Sequence, residues 1–119
     1  MRDGAQILAD LDKATVGVQK ASTELSKLIT EYGDIKLSWD VAVEEELIRI
    51  YEEAIERGAK PPAEDIRQAL ALRAARKKHP ELHIDYEAKT NRITALKLWI
   101  SSQKQVISGY QSLRRGEAT

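Results

Sequence analysis

The sequence contains no cysteine and no phenylalanine, and only one methionine and three prolines. The missing thiols exclude disulfides and thiolate metal ligands, and suit a reducing cytoplasm. With two tryptophans and four tyrosines as its aromatics, the chain must build a core from Leu, Ile, Val and Ala, which suits helix-on-helix packing. No apolar run approaches the roughly 20 residues that cross a bilayer, so no membrane partner is expected. The opening stretch MRDGAQILADLDK carries acids every few residues and predicts neither a signal nor a transit peptide.

The composition, 42% hydrophobic and 32% charged, is that of a folded chain, and 119 residues predict one domain. A chain of this length buries roughly two-thirds of the surface it exposes when unfolded. Net charge is zero, yet its distribution is uneven. Residues 1–65 hold 8 basic and 15 acidic side chains, whereas residues 66–119 hold 11 basic and 4 acidic. Either the halves compensate by folding against each other, or the basic half faces an anionic partner.

Ile7, Leu11, Ala14, Val18, Ala21, Leu25, Leu28 and Tyr32 alternate steps of four and three. This heptad seam predicts a helix over 4–32, with Asp3 as N-cap, Gly33 as the residue that ends it, and Leu8 and Ile29 widening its stripe. Ser38 then caps a predicted second helix over 39–57, with Val43, Leu47, Ile50 and Ala54 inward and Tyr51 and Ile55 alongside. Its Glu44–Glu46 run reads as a solvated face near a helix N-terminus. Glu45–Arg49 and Glu53–Arg57 are spaced as i,i+4 pairs. Gly58 ends that helix, and Pro62 is expected at the first position of an alanine-rich third one over 62–78. In the third helix only Ile66, Leu70 and Leu72 are large and apolar, so it should cover an edge. Pro80 opens a fourth helix over 80–114, followed by a fraying RRGEAT tail.

The fourth helix carries three apolar rows. Ile93, Ile100 and Ile107 form one; Leu96, Gln103 and Tyr110 another; Trp99, Val106 and Leu113 a third. So wide an arc requires more than one neighbour. A second copy of the chain is an economical one, and Gln103 resembles the polar core residues that set register. Leu11, Ala14, Val18, Ala21, Leu25, Trp99, Gln103 and Tyr110 are therefore the candidate self-association residues. The expected fold is all-α: a helical bundle of two long antiparallel, coiled-coil-like helices and two shorter ones.

The stretch RAARKKHPELH, Arg73 to His83, concentrates the chemistry-bearing residues. His79 and His83 have zinc spacing, but Pro80 places them across a helix start, and no further His or Cys completes a site. No metal, cofactor or small-molecule substrate is read from the sequence. Arg67, Arg73, Arg76, Lys77, Lys78 and Arg92 are the candidate residues for an anionic partner. Some of these cations also oppose a helix C-terminal dipole. Nucleic acid is the alternative partner, although Trp99 and Tyr110 look committed to the core rather than free for base stacking. Gly-rich phosphate loops and nucleophile elbows are absent from the sequence, and its carboxylates fall on polar faces, so no enzyme is expected.

The segment TALKLWISSQKQVISGYQSLRR, Thr94 to Arg115, resembles the C-terminal helix of small all-helical proteins encoded by phages and prophages. In those, a Trp-containing amphipathic helix leads into a Gln/Ser-rich stretch and a basic end. The resemblance covers about a fifth of the chain. It implies an accessory or modulator that binds a protein partner in the host cytoplasm, or accompanies recombination or replication, and carries over no functional residue.

Overall fold

In the computed structural model, residues 3–117 are described, and among them every regular element is helical. There are three helices: α1 (Gly4–Glu56), α2 (Glu64–Lys78) and α3 (Pro80–Glu117). No described helix is long and apolar enough to cross a membrane.

The two helices predicted over 4–32 and 39–57 are one. Gly33 lies within α1 in a helical conformation rather than ending it, and Gly58 is the one described glycine with positive φ, at 66°. A glycine inside a helix costs only about 1 kcal/mol, and the residues after it offset this locally. Lys36 and Asp40 form an i,i+4 ion pair at 2.6 Å, and Trp39 is buried. Ser38 is likewise an interior helical residue, not a cap.

The other helix ends match their chemistry more closely. The Gln6 backbone N–H donates to Asp3 Oδ1 at 2.8 Å while the Asp3 N–H donates to Gln6 Oε1, a reciprocal capping box. At the far end of α1, Gly58 N–H donates to the Ile55 carbonyl and Ala59 N–H to that of Ala54, both at 2.9 Å, a Schellman closure. Pro61 and Pro62 lie before α2 rather than in it, and Ala63 holds the N-cap position. His79 separates α2 from α3, and Pro80 is the first residue of α3. The last helix runs beyond the expected Arg114 to Glu117, so the fraying tail is helical to that point, and Ala118 and Thr119 lie outside the described residues.

The chain divides into two compact units. One comprises the chain up to Ile29 together with the chain from Asn91 onward; the other is Thr30–Thr90. In the first, Ala21, Leu96 and Ile100 form the core, with Val18, Leu25 and Leu28 packed against it. The heptad seam thus faces inward, as its spacing predicts. Leu8 and Ile29, expected to widen it, are exposed. Asp10 meets Tyr110, Gly17 meets Trp99 and Glu24 meets Arg92, so residue numbers rise on α1 as they fall on α3.

In the Thr30–Thr90 unit, Trp39, Ala42 and Ala75 are the core, with Val43, Leu72, Leu82 and Tyr86 around them. All three helices contribute. Tyr86 stacks on both Trp39 and Tyr32 at 5.7 Å between ring centroids, and His83 lies 5.2 Å from Trp39. Burial on α2 falls on Ala71 and Ala75, which are fully enclosed, while its larger Ile66 and Leu70 are exposed. Tyr51 and Ile55 on α1, expected beside the inward face, are exposed as well.

Continuity of α1 through Gly33 has a direct test in urea unfolding. No atom would obstruct a Cβ at Gly33, so Gly33→Ala should stabilise the chain by about 0.5–1 kcal/mol. Gly58→Ala, at positive φ, should destabilise it by about 1 kcal/mol. A destabilising Gly33→Ala would mean that α1 ends there.

Candidate functional site

The six candidate cations fall in both units. Arg92 belongs to the unit built from the two ends of the chain, where its Nε and Nη2 donate to Glu24 Oε1 at 3.1 and 2.7 Å. The other five lie in the Thr30–Thr90 unit. Arg67 is turned onto α1, its guanidinium 5.9 Å from the Tyr51 ring centroid. Its buried Nε has no hydrogen-bond partner. Lys78 reaches Glu46 at 2.6 Å. Arg73, Arg76 and Lys77 are exposed, and among the described residues no carboxylate pairs with them. Arg73 and Lys77, one helical turn apart, line a cleft of about 570 Å³ between α1 and α2.

Glu46 departs most from the sequence reading. Of the three consecutive acids, Glu44 and Glu45 are exposed as expected, whereas Glu46 is 3% exposed. It follows Trp39 and Ala42 at steps of three and four along α1, so it faces the same core. Burying a carboxylate without partners would be costly. Here Lys78 Nζ approaches one oxygen at 2.6 Å, and Arg49 Nη2 approaches the other at 2.7 Å. Arg49 therefore pairs with Glu46 and Glu53, not with Glu45 as the spacing suggested. The expected Glu53–Arg57 pair is present, at 3.8 Å. The hydrogen bond from Lys78, reinforced by Arg49 and opposed by burial, holds the Glu46 carboxyl below its ordinary pKa.

The two histidines have separate settings. His79 is exposed at the junction between α2 and α3, whereas His83 lies within α3, against Trp39 and 3.0 Å from Glu87. Its place in the aromatic cluster was not read from the sequence.

The candidate self-association residues lie in the unit formed by the chain ends. Ala21 is buried; Leu11, Ala14, Val18, Leu25, Gln103 and Tyr110 are half-buried. The Tyr110 hydroxyl donates to Asp10 Oδ2 at 3.5 Å. Trp99 is 42% exposed, so the residue that looked committed to the core presents much of its ring to solvent. One edge of the ring meets α1 at Gly17. A Cβ there would come within 3.1 Å of Trp99 Cη2, so the glycine lets the indole lie along α1. Open grooves flank the ring, about 650 Å³ on the side of Val16, Gln103 and Val106 and about 480 Å³ on the side of Ala21 and Leu96. The third row of α3 is exposed along its length: Val106 and Leu113 are uncovered like Trp99.

Compared with known proteins, the chain matches no family model, no curated protein and no solved structure. The functional reading therefore rests on these surfaces.

The Glu46 pair generates a pH-dependent prediction. Its folded pKa lies below the unfolded value, so its contribution to stability is complete above the ordinary carboxylate range. That contribution is lost as pH falls through the lower folded value. Glu46→Gln should remove this component of acid destabilisation below about pH 4.5, measured as urea midpoints across pH. Lys78→Ala should cost about 1 kcal/mol at neutral pH, since the lysine is largely solvated.

Proposed function

We propose that this chain is a non-enzymatic helical interaction protein that binds a protein partner and self-associates, as an accessory factor of the phage-encoded kind. The observation that carries the reading is the exposed row Trp99, Val106 and Leu113, with Val16 also exposed on α1. Exposed apolar side chains gathered around a half-open tryptophan are the composition of an interface anchor. A second copy is the economical occupant, because an isologous contact would cover both rows at once. The opposed numbering of the contacts between α1 and α3 supports antiparallel, coiled-coil-like pairing within a helical bundle. A cytoplasmic setting belongs to the same reading.

Sedimentation equilibrium tests it. The native chain should show a reversible dimer, and Trp99→Ala should weaken association by about 30-fold or more, the usual consequence of truncating a tryptophan anchor. A monomer at all concentrations would remove self-association from the account.

The second reading is a nucleic-acid-binding accessory, favoured by the exposed and unpaired Arg73, Arg76 and Lys77. Under it, affinity for single- or double-stranded DNA should fall steeply as salt rises. The Arg73/Arg76/Lys77/Lys78→Ala variant should bind weakly with a shallower salt slope. Absent binding at low salt, or an unchanged variant, counts against this reading.

A further inference from the structure

The cleft between α1 and α2 in the Thr30–Thr90 unit collects cations that the sequence scatters. Arg49 comes from α1, Arg57 and Lys60 from the connection, and Arg73 and Lys77 from α2. The single carboxylate among the lining residues is Glu53, whose two oxygens already take Arg49 and Arg57 at 2.8 and 3.8 Å. Lys60, Arg73 and Lys77 have no carboxylate partner among the described residues. The unit as a whole is acidic, with 10 basic and 14 acidic side chains between residues 30 and 90. The concentration of positive charge is therefore local to the cleft, and does not reflect a generally basic surface. Beneath it the floor is aliphatic: Ile50, Ala54, Leu70 and Ala74.

We infer that this cleft binds an acidic amphipathic helix of a protein partner, its apolar face on the aliphatic floor and its carboxylates on Lys60, Arg73 and Lys77. The inference deepens the reading of the chain as a protein-binding module and rests on it, at a site separate from Trp99. A groove between two helices receives a third through apolar anchors at helical spacing. Arg73 and Lys77 are four residues apart on α2, a rise of about 6 Å. Carboxylates at i,i+4 on a partner helix repeat that distance, so both ion pairs form without bending either helix. A nucleic acid fits the same charges less well. No aromatic side chain lines the cleft to stack a base, and its aliphatic floor suits the apolar face of a helix rather than a phosphate backbone.

The test is fluorescence anisotropy of the full chain with a fluorescein-labelled helical peptide of about 18 residues. The peptide carries leucine at i, i+3, i+4 and i+7 and glutamate elsewhere. Saturable binding is expected, weakened about tenfold or more by Arg73→Ala/Lys77→Ala, as the loss of two charge-assisted contacts implies. Leu70→Ser, which strips the floor but keeps the charge, should weaken binding several-fold. The control Lys27→Ala/Lys104→Ala removes the same charge from exposed positions outside the cleft and should bind as the native chain does. Circular dichroism confirms that each variant is folded.

Absence of saturable binding up to ~1 mM peptide would overturn the proposal. So would equal affinity for a lysine-for-glutamate peptide, an unchanged Arg73→Ala/Lys77→Ala variant, or full competition by oligothymidylate. If the peptide fails while the chain still self-associates, the cleft assignment falls and the broader interaction reading stands.

Discussion

Helices that meet through alanine approach closely while burying little side chain, and among the described residues half of the ten buried apolar positions are alanines: Ala21, Ala42, Ala54, Ala71 and Ala75. With no phenylalanine in the chain, bulk within the core falls mainly to Trp39, Ile7, Ile93, Leu96 and Ile100. The consequence appears on the outside. Where small residues hold two helices together, larger apolar neighbours one step around the helix have nothing to cover them. Ile66 and Leu70 remain exposed beside the enclosed Ala71 and Ala75 of α2, and Trp99 remains half-open above Gly17. The surfaces that suggest function are thus produced by the packing that makes the fold.

The same close approach governs the electrostatics of the Thr30–Thr90 unit. Ala42 and Ala75 share a core there with Trp39, and Glu46, one turn beyond Ala42, is carried into the region covered by α2. Its charge survives burial because Lys78 comes from the end of α2 and Arg49 from the next turn of α1. Cations at the C-terminal end of α2 also oppose that helix's dipole. Lys78 is thereby committed to the fold, whereas Arg73 and Lys77 are left facing the cleft.

The seam from Ile7 to Tyr32 could be read directly, because a strict three–four alternation admits one inward face. Asp3, Gly58 and Pro80 were also legible, each having local chemistry that acts whatever surrounds it. Gly33 was misleading. A glycine after an apolar seam has the composition of a helix end, but its penalty is small beside the hydrogen bonds of a continuing helix and the burial of Trp39. Glu46 was hidden in a run of three acids, where composition suggests solvent. The spacing from Trp39 through Ala42 was the available signal, and it needed an inward Trp39 to be recognised. The cleft cations were unreadable as a set, because Arg49, Arg57 and Lys60 precede the basic half of the sequence. Only the approach of α2 to α1 gathers them.

The central claim is that the open face around Trp99 is an interaction surface, distinct in kind from the closed setting of Trp39. Fluorine NMR of the chain carrying 5-fluorotryptophan at both positions tests this most directly, with Trp99→Phe assigning the signals. The Trp99 resonance should show the larger solvent isotope shift, and should move or broaden as protein concentration rises while that of Trp39 stays fixed. Two resonances that are equally shielded from solvent and unchanged by concentration would contradict the account.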